Sequence, residues 1–203
     1  RDAGGDLMTN MKVIAPGPLS TVQDAGRFGY MSTGFSPNGA MDPTAMRVGN
    51  LLVGNQPGEG VIEMTMRGMT VSFDGTAVVA FTGADMQAYR NDEEDPLPTY
   101  TAIEVHKGDT IKMGAAQKGM RSYLAVAGGF DIPRVMGSMS TNLKCGLGGF
   151  QGRKLKGGDV LPLRQELRRI LASFASFMQR ITRKRKKSLK RASLAITSSI
   201  KRT

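Results

Sequence analysis

From Met11 to Leu163 the apolar residues come in short runs closed by glycine, a pattern that many strands joined by tight turns produce. The runs are Met11 to Ile14, Val61 to Met66, Met69 to Phe73, Val78 to Phe81, Tyr100 to Val105, Thr110 to Met113, Ser122 to Val126 and Val160 to Leu163. In Val61 to Met66 the side chains of Ile62, Met64 and Met66 fall on one face at period two, and Glu63 and Thr65 on the other. Strands this short and this numerous predict a barrel or sandwich. One helix interrupts them, with Asp42 as N-cap, Pro43 at its first position and Gly54-Asn55 past its end. Its apolar stripe of Ala45, Met46, Leu51 and Leu52, with Gly49 allowing close approach, suits a helix lying across a barrel mouth.

The pattern stops at Leu163. From Arg164 to Thr203 there is no glycine or proline, and Leu167, Ile170, Leu171, Phe174, Phe177, Met178 and Ile181 follow helical spacing. Charge divides at the same place. Of 28 basic and 17 acidic residues, 13 basic and one acidic lie in this tail, leaving 15 and 16 before it. The β segment therefore carries no basic footprint, and nucleic acid or an anionic membrane could be engaged only through the tail. The run Arg183 to Lys187 repels itself and is expected to stay solvated. Three segments result: a leader, 1–10, expected to be disordered; a β domain, 11–163; and a basic helical tail, 164–203.

One cysteine, Cys145, cannot form an internal disulfide, and no apolar run approaches the roughly 20 residues that cross a bilayer. A reducing, cytoplasmic setting follows. With one histidine and one cysteine, a metal site of several such ligands is excluded, and a Ser-His-Asp triad would have to use His106. His106 sits where a strand enters a turn and reads as a surface or packing histidine; Cys145 reads as a buried, inert thiol.

Polar residues cluster among glycines. In Pro16 to Tyr30, Thr21, Gln23, Asp24 and Arg27 supply donors and acceptors at close spacing. Two readings are open for Asp24 and Arg27: contacts to a ligand, or a pair that closes a turn. Further on, Ser138, Ser140, Thr141 and Asn142, followed by Gly146 to Arg153, offer hydroxyls and backbone N–H groups as a cradle for a carboxylate or phosphate. Neither cluster matches the Gly-x-x-x-x-Gly-Lys-Ser/Thr phosphate loop.

Taken in order, the motifs Pro-Gly-x-x-x-Thr-Val-Gln-Asp-x-Gly-Arg at 16–27, Gly-Ala-Met-Asp at 39–42, Gly-Asn at 54–55 and Phe-Thr-Gly-Ala-Asp at 81–85 continue into Tyr-Leu-Ala-Val-Ala-Gly-Gly at 123–129, Gly-Ser-x-Ser-Thr at 137–141 and Gly-Gly-Phe-x-Gly-Arg-x-Leu-x-x-Gly-Asp at 148–159. This series resembles the biotin-dependent carboxyltransferase family, also called allophanate hydrolase subunit 2, and within it the C component of 5-oxoprolinase. The resemblance implies a mainly β, cyclophilin-like barrel with one short helix. It further implies work beside a sister subunit of the allophanate hydrolase subunit 1 type. In the oxoprolinase setting the complex opens 5-oxo-L-proline to L-glutamate with ATP; in the carboxyltransferase setting carboxybiotin is the co-substrate.

Under this resemblance the contacts to a small carboxylate or amide substrate come from Thr21, Gln23, Asp24, Arg27, Ser138, Ser140, Thr141, Asn142 and Arg153. Met139 stands where the family usually has arginine, removing a cation that would hold a carboxylate. The resemblance stops at Leu163, so the tail is expected to be foreign to the family, as a shift of reading frame would leave it. Members of the family also act as antagonists of a kinase inhibitor, which keeps a regulatory binding role open.

Overall fold

The computed structural model describes residues 9–91 and 93–164, all within the first of the two units into which the chain divides, Arg1–Gln165. Nearly all of the expected leader, and the expected tail beyond Arg164, lie outside the described residues. In chain order the elements are β1 (Asn10–Ala15), β2 (Ser20–Gln23), α1 (Pro43–Leu52), β3 (Val61–Thr65), β4 (Thr70–Phe73), β5 (Ala77–Asp85), β6 (Ala88–Arg90), β7 (Ala102–Val105), β8 (Thr110–Met113), β9 (Lys118–Val126) and β10 (Val160–Pro162). The strands form two five-stranded sheets, ordered β10-β1-β4-β8-β6 and β2-β3-β9-β5-β7, with antiparallel neighbours throughout. The described residues are mainly β, with one short α-helix among them, as expected.

Alternation decides what each strand buries. In β1 Met11 and Val13 are fully buried while Lys12 and Ile14 face out. One core joins both sheets, with Met11, Val71, Phe73 and Ile111 from the first and Ile62, Met64, Val79, Phe81 and Leu124 from the second. β5 has no such alternation because both of its faces are covered. Ala77, Val79 and Phe81 enter the core, while Thr82, on the other face, donates from Oγ1 to Ala45 O of α1 at 2.7 Å.

The helix therefore packs on β5 and β9 and does not lie across a barrel mouth. Asp42 caps it, Oδ1 accepting from the N–H groups of Thr44 and Ala45 at 3.0 Å each. Its buried face is Ala45, Met46, Gly49 and Asn50, and a Cβ on Gly49 would lie 3.0 Å from Thr82 Oγ1. Leu51, expected in the buried stripe, is 60% exposed, and buried Asn50 takes its place. Asn50 donates to Glu59 O at 2.8 Å and accepts from Asn55 Nδ2 at 3.0 Å, so its burial leaves no polar group stranded.

Two further expectations are corrected. Met66 does not continue the inner face of β3: the strand ends at Thr65, and Met66 turns outward at φ 64° with 63% exposure. Cys145 is exposed, not buried, because its loop caps back on Asn142 Oδ1 and leaves the thiol outside. His106 is a surface residue, its side chain 61% exposed beside Glu104 and Asp109.

Candidate functional site

The two polar clusters, more than a hundred residues apart in sequence, close on each other where the chain leaves β2. Asp24 is the centre, 2% exposed. Its Oδ1 accepts from Gly26 N at 2.9 Å, Ser138 Oγ at 2.7 Å and Ser140 Oγ at 2.6 Å. Its Oδ2 accepts from Met139 N at 2.6 Å, with Arg134 Nη1 at 3.4 Å. Of the hydroxyls expected to cradle a ligand, those of Ser138 and Ser140 hold the carboxylate of Asp24 instead. Ser140 Oγ also accepts from Asp24 N at 3.0 Å, and Ser138 Oγ from Ser140 N at 2.9 Å.

Arg27, 1% exposed, does not pair with Asp24. It donates to two carbonyls, from Nε to Val135 O at 3.1 Å and from Nη2 to Ser140 O at 3.0 Å. Its Nη1 is buried without a hydrogen-bond partner among the described residues. Gln23 donates from Nε2 to Thr21 Oγ1 at 3.0 Å and to Thr141 O at 3.3 Å, which leaves Oε1 buried and without a donor among the described residues. Thr141 donates from Oγ1 to Val22 O at 2.9 Å. Asn142 caps the following turn, accepting from the N–H groups of Lys144 and Cys145. Eight of the nine residues expected as contacts are thus buried where the two clusters meet.

Arg153 stands apart from the knot. Its guanidinium forks onto Asp159 at 2.8 and 2.9 Å and sits 5.5 Å over the Phe150 ring. The hydrogen bond from Arg153, with the Lys156 N–H adding to it, holds the Asp159 carboxyl below the usual carboxylate range against the opposing effect of burial. A depressed folded pKa contributes stability above the unfolded carboxylate value, and that stability is lost as pH falls through the folded value. Acid titration monitored by unfolding should therefore show a limb below about pH 4 that Asp159→Asn removes. With a partly exposed pair its size should be about 1 kcal/mol or less; an unchanged acid limb in the variant would contradict the assignment.

Met139 contributes packing at the position where the resemblance implies a missing cation. It is 2% exposed in the core, and a Cβ on Gly60 would lie 2.5 Å from its sulfur. Besides Arg27, a cation outside the expected set reaches the knot: Arg134, between Asp24 and Glu59 at 3.4 and 3.2 Å, and Arg164 meets the same Glu59 at 2.6 Å.

A second polar group outside that set lies under α1. Glu63 and Tyr123 are directly opposed across β3 and β9. Tyr123 donates from its hydroxyl to Glu63 Oε2 at 2.8 Å and accepts from Asp42 N at 2.7 Å. Burial pushes the phenol well above its ordinary value, and the Glu63 carboxylate adds to the shift against the Asp42 N–H. A signal exists in the sequence, because Glu63 falls on the polar face of an alternating strand and Tyr123 opens one of the motifs.

Among the described residues no cluster of three or more His, Cys, Asp or Glu side chains could hold a metal ion, and no helix is long and apolar enough to cross a membrane. The family described as "carboxyltransferase domain, subdomain A and B" matches residues 33–198, a range that runs past Leu163. The C component of 5-oxoprolinase from Escherichia coli (strain K12) is 45% identical over 153 residues, covering 75% of this chain and 49% of that protein. The urea amidolyase of Lachancea kluyveri is 39% identical over 155 residues, covering 76% of this chain and 8% of that protein. The crystal structure of the K. lactis urea amidolyase superimposes with a TM-score of 0.75 at 37% identity, over 80% of this chain and 10% of that one. The chain thus spans about half the length of the bacterial protein that it matches. With the family matching most of its residues and the same strands recurring in a solved relative, the chain belongs to the carboxyltransferase domain family, subdomains A and B.

Proposed function

We propose that this chain, as the C component of an ATP-dependent 5-oxoprolinase, supplies one wall of the substrate cleft beside a sister subunit of the allophanate hydrolase subunit 1 type. The observation that carries the reading is the closure of the 16–27 and 137–153 motifs around Asp24. Asp24, Ser138 and Ser140 spend their polar atoms on one another and fix the wall. Gln23 Oε1 and Arg27 Nη1 are unspent among the described residues, an acceptor and a donor for a small amide or carboxylate. The relatives that carry the match are named for enzymes, which favours a catalytic over a regulatory role.

ATP does not fit the glycine-rich loop. The N–H groups of Leu147, Gly149 and Gly152 already donate to Asn142 O, Met139 O and Gly148 O, so they cannot cradle a phosphate. ATP is therefore assigned to the partner, and carboxybiotin is the co-substrate of the related carboxyltransfer reaction.

The test mixes the full chain with the sister subunits, ATP and 5-oxo-L-proline and follows glutamate. Release should require this chain and fall on the order of a hundredfold when Arg27→Gln shifts the wall, since a misplacement of about 1 Å already costs that much in rate. Glutamate release by the sister subunits without this chain, or unchanged release with Arg27→Gln, would remove the reading.

A further inference from the structure

Residues 38 and 39 are the chain's one Asn-Gly pair; each of the other five asparagines precedes a residue with a side chain. The fold demands this pair. Both residues have positive φ, 55° and 100°, and Asn-Gly is the dipeptide that accepts two such angles in succession with least strain. At position 39 a Cβ would also lie 3.2 Å from the carbonyl C and O of Ala25. On either side the turn is pinned to the stretch that leaves β2. Arg27 N donates to Pro37 O at 2.6 Å, and Ala40 N to Asp24 O at 3.0 Å.

A glycine that follows an asparagine leaves its N unshielded against the side-chain amide carbon. Here that N–H donates to no group among the described residues. Asn38 is exposed, and its Oδ1 accepts from Ser36 Oγ at 2.8 Å. This bond draws electron density from the amide carbon and steadies the charge that the oxygen takes up under attack. The leaving nitrogen, Nδ2, donates to Thr141 O over a long 3.3 Å. Elsewhere the same groups are spent. Asn55 uses both ends of its amide, toward Val126 O and Gly128 N, and in Gln151-Gly152 the glycine N–H donates to Gly148 O at 2.8 Å.

We propose that Asn38 is a site of spontaneous deamidation, and that its conversion releases the 37–40 turn from Thr141. Gly39 N gives its proton to a solvent base and bonds to Asn38 Cγ. The Cγ–Nδ2 bond then breaks, Nδ2 leaves as ammonia with a proton from water, and a five-membered succinimide remains. Water opens the ring at either carbonyl. One opening gives aspartate; the other gives isoaspartate, with the main chain routed through the side-chain carbon. The sum is one ammonia lost and one water gained. Either product removes the donor to Thr141 O, and aspartate leaves an acceptor facing that carbonyl. Isoaspartate also lengthens the main chain between two fixed bonds, those at Pro37 O and Ala40 N. None of this depends on which substrate the knot serves.

The experiment incubates the folded full chain at neutral and mildly alkaline pH. Each asparagine is followed by peptide mapping with mass spectrometry, and isoaspartate by enzymatic methyl labelling. Asn38 should convert at least tenfold faster than any of the other five, and faster as pH rises. Ser36→Ala, on an exposed side chain, should slow it severalfold, the rate equivalent of one hydrogen bond. Asn38→Asp, which installs one product directly, should speed amide exchange at Arg27 and Ala40. If Asn38 stays intact in the folded chain and converts in urea, the turn protects the pair and the proposal fails. It fails equally if Ser36→Ala leaves the rate unchanged or raises it. Unchanged exchange in Asn38→Asp would overturn the release of the turn.

Discussion

Asp24→Ala is expected to destabilise the chain by about 3 to 5 kcal/mol, the range for removing one member of a buried charged network. The carboxylate accepts from two backbone N–H groups and two hydroxyls, all at 2.9 Å or less. Truncation leaves these donors buried and unpaired, at about 1 to 3 kcal/mol each where no water enters. The losses will not add fully, because Ser138 and Ser140 can turn toward each other, so the lower range is the better expectation. Against a typical total stability of about 5 to 15 kcal/mol this removes much of the margin. Urea unfolding of wild type and variant, compared at constant m, reads the effect directly. Asp24→Asn should cost nearly as much, since one of its two positions becomes an NH₂ group facing donors. A loss below about 1 kcal/mol in both variants would mean that the knot is not held by this carboxylate.

Most of the strands are legible in the sequence because the core demands alternation that survives in single sequences. The run Thr110 to Met113 coincides with β8, and the other runs match their strands within a few residues. The exceptions show where that reasoning stops. β2, Ser20–Gln23, is buried at all four positions, yet three of its residues are polar, because Ser20 donates to Pro16 O while Gln23 donates to Thr21 and to Thr141 O of the returning loop. A polar buried strand has no periodicity signal. β6, Ala88–Arg90, is too short to carry one. Leu51 and Asn50 exchange their expected places for a similar reason. A leucine beside an asparagine on a short amphipathic helix reads as the buried one until Glu59 O and Asn55 are seen to satisfy the amide.

The polar knot is legible as a set of residues and not as an arrangement. Spacing alone puts Asp24 and Arg27 within reach of each other, as three-residue neighbours usually are. The fold instead sends them to different partners on the returning loop, Asp24 to Ser138, Met139 and Ser140, and Arg27 to the carbonyls of Val135 and Ser140. Only the long-range closure decides this. Arg153 groups with the knot by motif order, but six residues further on Asp159 offers a fork that a local turn brings back. Motif order records family membership well; contact within a motif series has to be seen.

Gly149→Ala should cost about 3 kcal/mol or more, from backbone strain and from a steric overlap together. Gly149 has φ +55°, and a Cβ there would overlap the Oγ1 of Thr141. A non-glycine residue held in this backbone region costs on the order of 1 to 2 kcal/mol. Gly137 isolates that part, since it has φ +78° with nothing within 4 Å of an added Cβ. Gly137→Ala should therefore cost only about 1 kcal/mol. The excess at Gly149 comes from moving Thr141, whose hydroxyl donates to Val22 O and whose carbonyl accepts from Gln23 and Asn38. Displacing it breaks bonds worth about 0.5 to 1.5 kcal/mol each and loosens the loop from the end of β2. Paired unfolding curves for the two variants give the difference without any assumption about the unfolded chain, because both make the same change there. Amide exchange at Thr141, which donates to Val22 O at 3.0 Å, should rise in Gly149→Ala and stay as in wild type in Gly137→Ala. Equal losses in the two variants would show that backbone strain alone matters and that the glycine loop does not clamp the knot.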